Sequence, residues 1–102
     1  MGERTFKPFD NGTVAMSVSA SSARIDFNSV HNGSNVRLVN RGSDWAFVKF
    51  GGSDVTADEN DIPMPPNWCE VFAVPDGATY CAAVSDGSPA SGMLYVTPGD
   101  GD

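Results

Sequence analysis

The chain has 102 residues, which is enough for one domain with a modest hydrophobic core. It contains 11 glycines and 7 prolines, a density that disfavours long helices and is typical of short strands joined by many turns. No stretch approaches the ~20 consecutive apolar residues of a transmembrane helix, so no membrane insertion is predicted.

The formal net charge is −7, and the charges are unevenly distributed along the chain. All six basic residues lie at or before Lys49, whereas nine acidic residues follow it. Nucleic-acid binding is disfavoured because neutralising phosphates requires a cluster of Lys and Arg that this sequence lacks. The first residues, MGERTFKPFDNG, have neither the apolar segment nor the cleavage site of a secretory signal, so we expect synthesis in the cytoplasm.

Residues 1–13 are predicted to form an extended arm. Phe6 and Phe9 in this arm need an apolar surface, which either the same domain or a neighbouring subunit could provide. Residues 13–21 then alternate apolar and small polar side chains with a period of two, which predicts a half-buried strand, and residues 24–27 predict another.

The stretch NVRLVNRGSDWAFVKFGGSDVTA from Asn35 contains the densest group of aromatic residues. Two strand-like runs, Val36–Asn40 and Trp45–Phe50, flank a short polar break, which predicts a β-hairpin. Such an apolar hairpin needs a second layer to pack against. Residues 55–57 could add a short edge strand.

The second half contains three further predicted strands. The Pro-rich segment 62–66 cannot lie in a central strand, so it is predicted to cross to another sheet. Residues 68–74 and 79–84 are predicted to form a hairpin, followed by a last strand at 93–97. In that hairpin Cys69 and Cys81 would be too far apart for a disulfide, so two buried free thiols are expected.

Seven or eight short strands at roughly ten-residue spacing indicate an all-β protein. We predict an antiparallel β-sandwich with jelly-roll-like or immunoglobulin-like connections, although the Cys and Trp spacing of true immunoglobulin domains is absent. The predicted organisation is an arm at 1–13, one sandwich domain at 14–98 and a polar tail at 99–102.

The sequence contains no recognisable catalytic or metal-binding constellation. His31 is the only histidine and lies in a predicted loop, where a solvated role is favoured. Asp58, Glu59 and Asp61 have the oxygen ligands that calcium prefers, but they lack the spacing of an EF-hand loop. We therefore predict no cofactor and no enzymatic activity. A core position is favoured for Trp45 and for Trp68 taken singly, but we expect at least one of the aromatic residues of the chain to lie in an interface; they include Phe6, Phe9, Trp45, Trp68 and Tyr95.

The segments VRLVNRGSDWAFVKFGGSDVTA, DIPMPPNWCEVFAV and GMLYVTPGDG resemble a group of small virion proteins of tailed bacteriophages and prophages. The resemblance covers residues 35–101 and consists of strand and turn residues. It departs from the group's pattern at Pro66-Asn67, where a Pro-Gly turn is usual.

This resemblance implies a capsid decoration, or cement, protein on the exterior of the virion. Its partner would be the major capsid protein. A homo-oligomer would also be expected, either a dimer or a trimer, with the trimer favoured. The predicted interface residues are Phe6, Phe9, Arg24, Arg37, Arg41, Trp45 and Trp68, with the arginines facing an acidic capsid surface. The alternative is a carbohydrate- or receptor-binding sandwich on a head or tail fibre, with exposed aromatics stacking on sugars.

Overall fold

The computed structural model describes residues 6–86 and 92–101 and contains nine β-strands in these ranges. Residues 1–5 of the predicted arm and residue 102 of the predicted tail lie outside the described residues, as do residues 87–91. The strands are β1 (Lys7–Pro8), β2 (Val14–Ser17), β3 (Ala23–Asp26), β4 (Asn35–Gly42), β5 (Ala46–Gly51), β6 (Ile62–Met64), β7 (Trp68–Ala73), β8 (Tyr80–Ser85) and β9 (Gly92–Asp100).

These strands form two antiparallel sheets stacked as a sandwich. In the five-stranded sheet, called sheet A here, the order is β1-β9-β4-β7, and β2 also pairs with β9 beyond the end of β1. The four-stranded sheet, called sheet B, has the order β3-β8-β5-β6. From β2 onward the chain changes sheet at every connection except β5–β6, which gives a jelly-roll-like topology.

Both hairpins predicted from the sequence are wrong. Strand β4 pairs with β9 and β7 in sheet A, whereas β5 pairs with β8 and β6 in sheet B. Likewise β7 lies in sheet A and β8 in sheet B. The local pattern of strand, polar break and strand is the same for a hairpin as for a crossing between two sheets, so it could not distinguish them.

The core lies between the sheets and follows from the alternation of side chains along each strand. On β4, Val36 and Leu38 point inward and are fully buried, and Val48 on β5 does the same from the other sheet. The main core cluster comprises Met16, Val18, Phe27, Val36, Leu38, Ala46, Val48, Met64, Cys81, Ala83, Leu94 and Val96.

The segment between β5 and β6 covers the outer side of sheet B. Val55 and Ala57 are buried there against Ala82 and Val84, in a second small cluster. The Ala57 amide donates to the Ser22 hydroxyl at 2.9 Å, which fixes the segment near the start of β3. The edge strand suggested for residues 55–57 is therefore wrong, because these residues pack on the outer side of sheet B and do not pair with its edge.

Several predicted boundaries also change. Strand β9 continues to Asp100, so residues 99 and 100 belong to sheet A and not to a tail. Residues 62–64 of the Pro-rich segment pair with β5 as an edge strand, and the chain then crosses to sheet A as predicted. Across residues 6–86 and 92–101, there is no helix with the length and apolar character needed to cross a bilayer.

Candidate functional site

Side chains that could carry chemistry are dispersed over this fold. Within the described ranges, no three His, Cys, Asp or Glu side chains come together in a way that could hold a metal ion. In the acidic loop, the Asp61 carboxylate accepts from the Asp58 amide and the Asp58 carboxylate accepts from the Asn60 amide, both at 2.8 Å. These carboxylates therefore stabilise the turn of their own loop.

The two cysteines are free and differ in environment. Cys81 is fully buried in the core, and burial raises the pKa of its thiol to about 12. Cys69 is exposed on β7, contrary to the prediction that both thiols are buried. The Cys81 thiol acts as a small apolar group, because it stays protonated at any physiological pH.

The aromatic residues of the arm pack against their own domain. Phe9 stacks on His31 with ring centroids 5.1 Å apart, and the Phe9 amide donates to the Pro98 carbonyl at 3.0 Å. Phe6 lies over Gly99, so close that a Cβ at that glycine would come within 2.7 Å of the ring. Of the two alternatives left open by the sequence, docking on the same domain is the one observed, and His31 supports the arm.

The three arginines predicted to bind together lie on opposite sides of the sandwich. Arg37 and Arg41 are exposed on β4 and point away from the core of sheet A. Arg24 is exposed on β3 and pairs with Ala82, which belongs to the covered outer side of sheet B. The sequence could not separate them, because the separation depends on which sheet each strand joins.

The outer side of sheet A brings apolar side chains from four strands into register. Tyr95 on β9 pairs with Ala15 on one side and with Val39 on the other, and Val39 in turn pairs with Cys69. We call this surface the open face, defined by its outward-facing residues. They are Ala15, Ser17, Arg37, Val39, Arg41, Cys69, Val71, Met93, Tyr95 and Thr97.

The open face differs in charge from the rest of the protein. Its only charged side chains are Arg37 and Arg41, which flank the apolar row on either side, whereas the chain as a whole carries a net charge of −7. Val71, at the β7 edge, is 42% exposed, and Tyr95 and Val39 are half-buried. Sequence reasoning identified the arginines but missed Val71, Val39 and Met93, which become neighbours only through the sheet order.

The two tryptophans predicted to lie in an interface are both partly exposed, Trp45 by 44% and Trp68 by 49%. Trp68 pairs with Asn40 across the sheet, and its indole N–H donates to the Glu70 carboxylate at 2.9 Å. Asn40 shares its amide hydrogens among the carbonyl oxygens of residues 44, 64 and 65 at 3.0–3.1 Å. It thus holds the segment that precedes Trp45 and the one that leads to Trp68 at one end of the sandwich.

No protein-family model matches the sequence, and no curated protein matches it significantly. Among solved structures, a chain of the Bacillus endospore appendages, which form disulfide-linked pili, has a TM-score of 0.54 at 14% identity. The match covers 94% of this chain and 88% of that one. PirA has a TM-score of 0.50 at 10% identity and covers 88% and 95% of the two chains.

Hydroxypropylphosphonic acid epoxidase from S. wedmorenis, solved in complex with fosfomycin, also shares the fold. Its TM-score is 0.50 at 14% identity over 84% of this chain, and this chain spans only 42% of the epoxidase's length. At such identities the similarity shows a common fold and nothing about activity.

Proposed function

We propose that this protein is a non-enzymatic structural protein of a tailed phage or prophage. It binds the outer surface of the assembled capsid through the open face and stabilises the joints between capsomers. The partner is the major capsid protein. The observation that carries this proposal is a largely apolar sheet face that bears only positive charge on an otherwise acidic protein.

The contrast between the two sheets supports an external partner for sheet A. The chain covers the outer side of sheet B with its own residues Val55 and Ala57, but it leaves Val71 and its neighbours on sheet A in contact with solvent. Exposed apolar patches on a small domain are typical of interaction sites. Arg37 and Arg41 beside this patch favour a partner surface that combines apolar and acidic groups.

The size of the open face favours weak binding by each copy. Four strands of about five residues cover roughly 300 Å², less than half of the ~800 Å² that one partner contributes to a standard interface. Such a contact gains strength when several copies bind the same shell, or when one molecule spans two capsid subunits. A protein that binds only the assembled shell shifts the equilibrium towards assembly.

The fold alone does not decide between a structural and an enzymatic role. The pilus-forming appendage protein and the epoxidase share it, although one builds a filament and the other carries out a reaction. The proposal therefore depends on the open face, and on the resemblance of residues 35–101 to phage virion proteins.

Binding to empty capsids of the phage that encodes the chain tests the proposal. Purified protein is mixed with assembled shells or with unassembled capsid subunits and then centrifuged. We expect saturable co-sedimentation with the shells and no binding to the free subunits. Equal binding to both, or none to either, would remove the support for a shell-stabilising role.

A carbohydrate- or receptor-binding module on a fibre is the second candidate. Trp45 and Trp68, exposed near one end of the sandwich, favour it because indole rings stack on sugar faces. A glycan array separates the two functions. Retention of a glycan that is lost in Trp45→Ala and Trp68→Ala, together with no shell binding, would favour the fibre module.

A further inference from the structure

Strand β7 differs from the other edges of the two sheets in how it is protected. An edge strand exposes unpaired backbone groups, and proteins usually blunt it with short length, Pro or charged residues. The opposite edge of sheet A is divided between β1, with two residues, and β2, with four. In sheet B, β6 has three residues including Pro63, and β3 has four including Arg24.

Of these devices, strand β7 has only one charged residue, Glu70, and no other along its outer edge. It has six residues, Trp68–Ala73, without Pro or Lys, and among the described strands it pairs only with β4. Its single charge, Glu70, lies on the side that faces the other sheet and accepts the hydrogen bond from the Trp68 indole. The edge is therefore available for pairing with another strand.

We propose that β7 pairs with β7 of a second copy of this chain, antiparallel about a two-fold axis through Val71. The resulting dimer joins two copies of sheet A into one continuous sheet. This inference goes beyond the proposed function and does not depend on it, because it concerns the free protein.

The backbone on either side of β7 selects this register. Asn67 has a φ of 55°, a left-handed conformation that ends the strand on one side, and Pro75 cannot donate a hydrogen bond on the other. Pairing is thus limited to residues 68–74, whose midpoint is Val71. A two-fold axis at Val71 places Cys69 opposite the second copy's Ala73 and Trp68 opposite the second copy's Val74.

Charge selects the same register. Opposite residues must lie on the same face, so the two nearest alternative registers are centred on Phe72 and on Glu70. The Phe72-centred register would place Cys69 opposite Pro75, which cannot donate a hydrogen bond. The other alternative is centred on Glu70. That register would place two carboxylates directly opposite each other, which is unfavourable. It would also require Asn67 to pair opposite Ala73, although its φ does not fit a strand. With Val71 at the centre, Glu70 lies opposite the second copy's Phe72 instead.

The dimer also extends the open face. Val71 and Cys69 belong both to β7 and to the open face, so pairing brings two open faces side by side. Two Val71 side chains then meet at the centre, with Arg37 beside each of them. Such pairing gives a dimer, in place of the trimer favoured by the sequence.

Disulfide trapping of Ala73→Cys tests the register. Directly opposite residues have Cα atoms about 4.5–5.5 Å apart, within the range of a disulfide. We expect the thiol introduced at position 73 to cross-link with the native Cys69 of the second copy on mild oxidation, giving a covalent dimer on non-reducing gels. The matched control is Ala73→Cys with Cys69→Ala, which should give no covalent dimer. In the proposed register the two introduced cysteines at position 73 would be about 13 Å apart along the strands, too far for a disulfide. Cross-linking of Val71→Cys with Cys69, but not of Ala73→Cys, would instead indicate the Glu70-centred register and overturn the proposal.

The mass of the free protein tests the contact without any cross-link. We expect light scattering during gel filtration to give a concentration-dependent dimer for the wild type and a monomer for Val71→Lys, which places two like charges opposite each other. The matched control is Val30→Lys, since Val30 is 88% exposed on a loop outside β7; it should remain a dimer. Circular dichroism should show both variants folded. A monomeric wild type, a trimer, or a dimer that persists in Val71→Lys would overturn the proposal.

Discussion

Asn40 is a buried polar residue at the point where sheet A approaches the crossing to sheet B. Only 2% of it is exposed, and its amide donates to backbone carbonyls of Asp44, Met64 and Pro65. From the sequence, this residue marks only the end of a predicted strand. Its role depends on residues more than 20 positions away, which no local pattern reveals.

Replacement of Asn40 by alanine should destabilise the fold. The change leaves three carbonyl oxygens without this donor, at a cost of about 2–3 kcal/mol in the free energy of unfolding. Urea unfolding followed by tryptophan fluorescence measures the loss. Asn60→Ala, at an exposed position, is the control and should change the free energy by less than about 0.5 kcal/mol. Equal effects of the two substitutions would mean that the Asn40 bonds contribute little.

The buried thiol of Cys81 should make stability depend on pH in the alkaline range. Its pKa is about 12 in the folded protein, against an ordinary value of 9.0 that applies when the chain is unfolded. Above pH 9 the unfolded chain therefore releases this proton while the folded protein keeps it. The Cys81 contribution is complete below pH 9 and is lost as the pH rises towards 12, by roughly 1.4 kcal/mol per pH unit.

Urea unfolding between pH 8 and pH 11 measures this slope. Cys81→Ala is the reference, because it retains all other titrating groups, and its free energy of unfolding should fall less steeply. Parallel pH profiles for the two proteins would contradict the assignment of a buried, protonated thiol.

Among the elements, the strands were more predictable than their partners. The period-two alternation of residues 13–21 and the apolar runs around Val48 and Phe72 identified β2, β5 and β7 to within a few residues. Pairing was not predictable, because each run is equally suited to either sheet. The open face could not be predicted for the same reason, since Val39, Cys69 and Tyr95 meet only through the order β9-β4-β7.

The arm illustrates how one close contact fixes an element. Gly99 on β9 is buried, and a Cβ there would collide with the Lys7 carbonyl oxygen and lie 2.7 Å from the Phe6 ring. Gly99→Ala should therefore displace β1 and lower the free energy of unfolding by about 1–3 kcal/mol. Hydrogen exchange at the Phe9 amide, which donates to the Pro98 carbonyl, should become faster.

The control for the arm is Gly52→Ala. A Cβ at Gly52 would have no atom closer than the Asp54 carboxylate at 3.9 Å, so exchange at Phe9 should be unchanged. Unaltered protection of Phe9 in Gly99→Ala would show that the arm adapts to the added methyl group without leaving β9.

At the scale of the whole molecule, composition and strand spacing were sufficient for the class of fold. Many turns, no helical period and regular short strands predicted an antiparallel sandwich, and the structure has one. The choice between jelly-roll-like and immunoglobulin-like connections required the sheet order. The same sheet order places Arg37 and Arg41 on sheet A and Arg24 on sheet B. The positive charge of the open face therefore comes from Arg37 and Arg41 alone.

Reversal of charge on one side of the sandwich tests the central claim most directly. The double variant Arg37→Glu with Arg41→Glu alters the open face. The matched control is the double variant Arg24→Glu with Lys49→Glu, which changes the net charge by the same amount. Its two positions are exposed and pair with Ala82 on sheet B. Co-sedimentation with assembled capsids measures binding of both. We predict that the first pair loses binding at least tenfold while the second binds as the wild type does. Equal binding by the two variants would contradict the assignment of the open face as the capsid-binding surface.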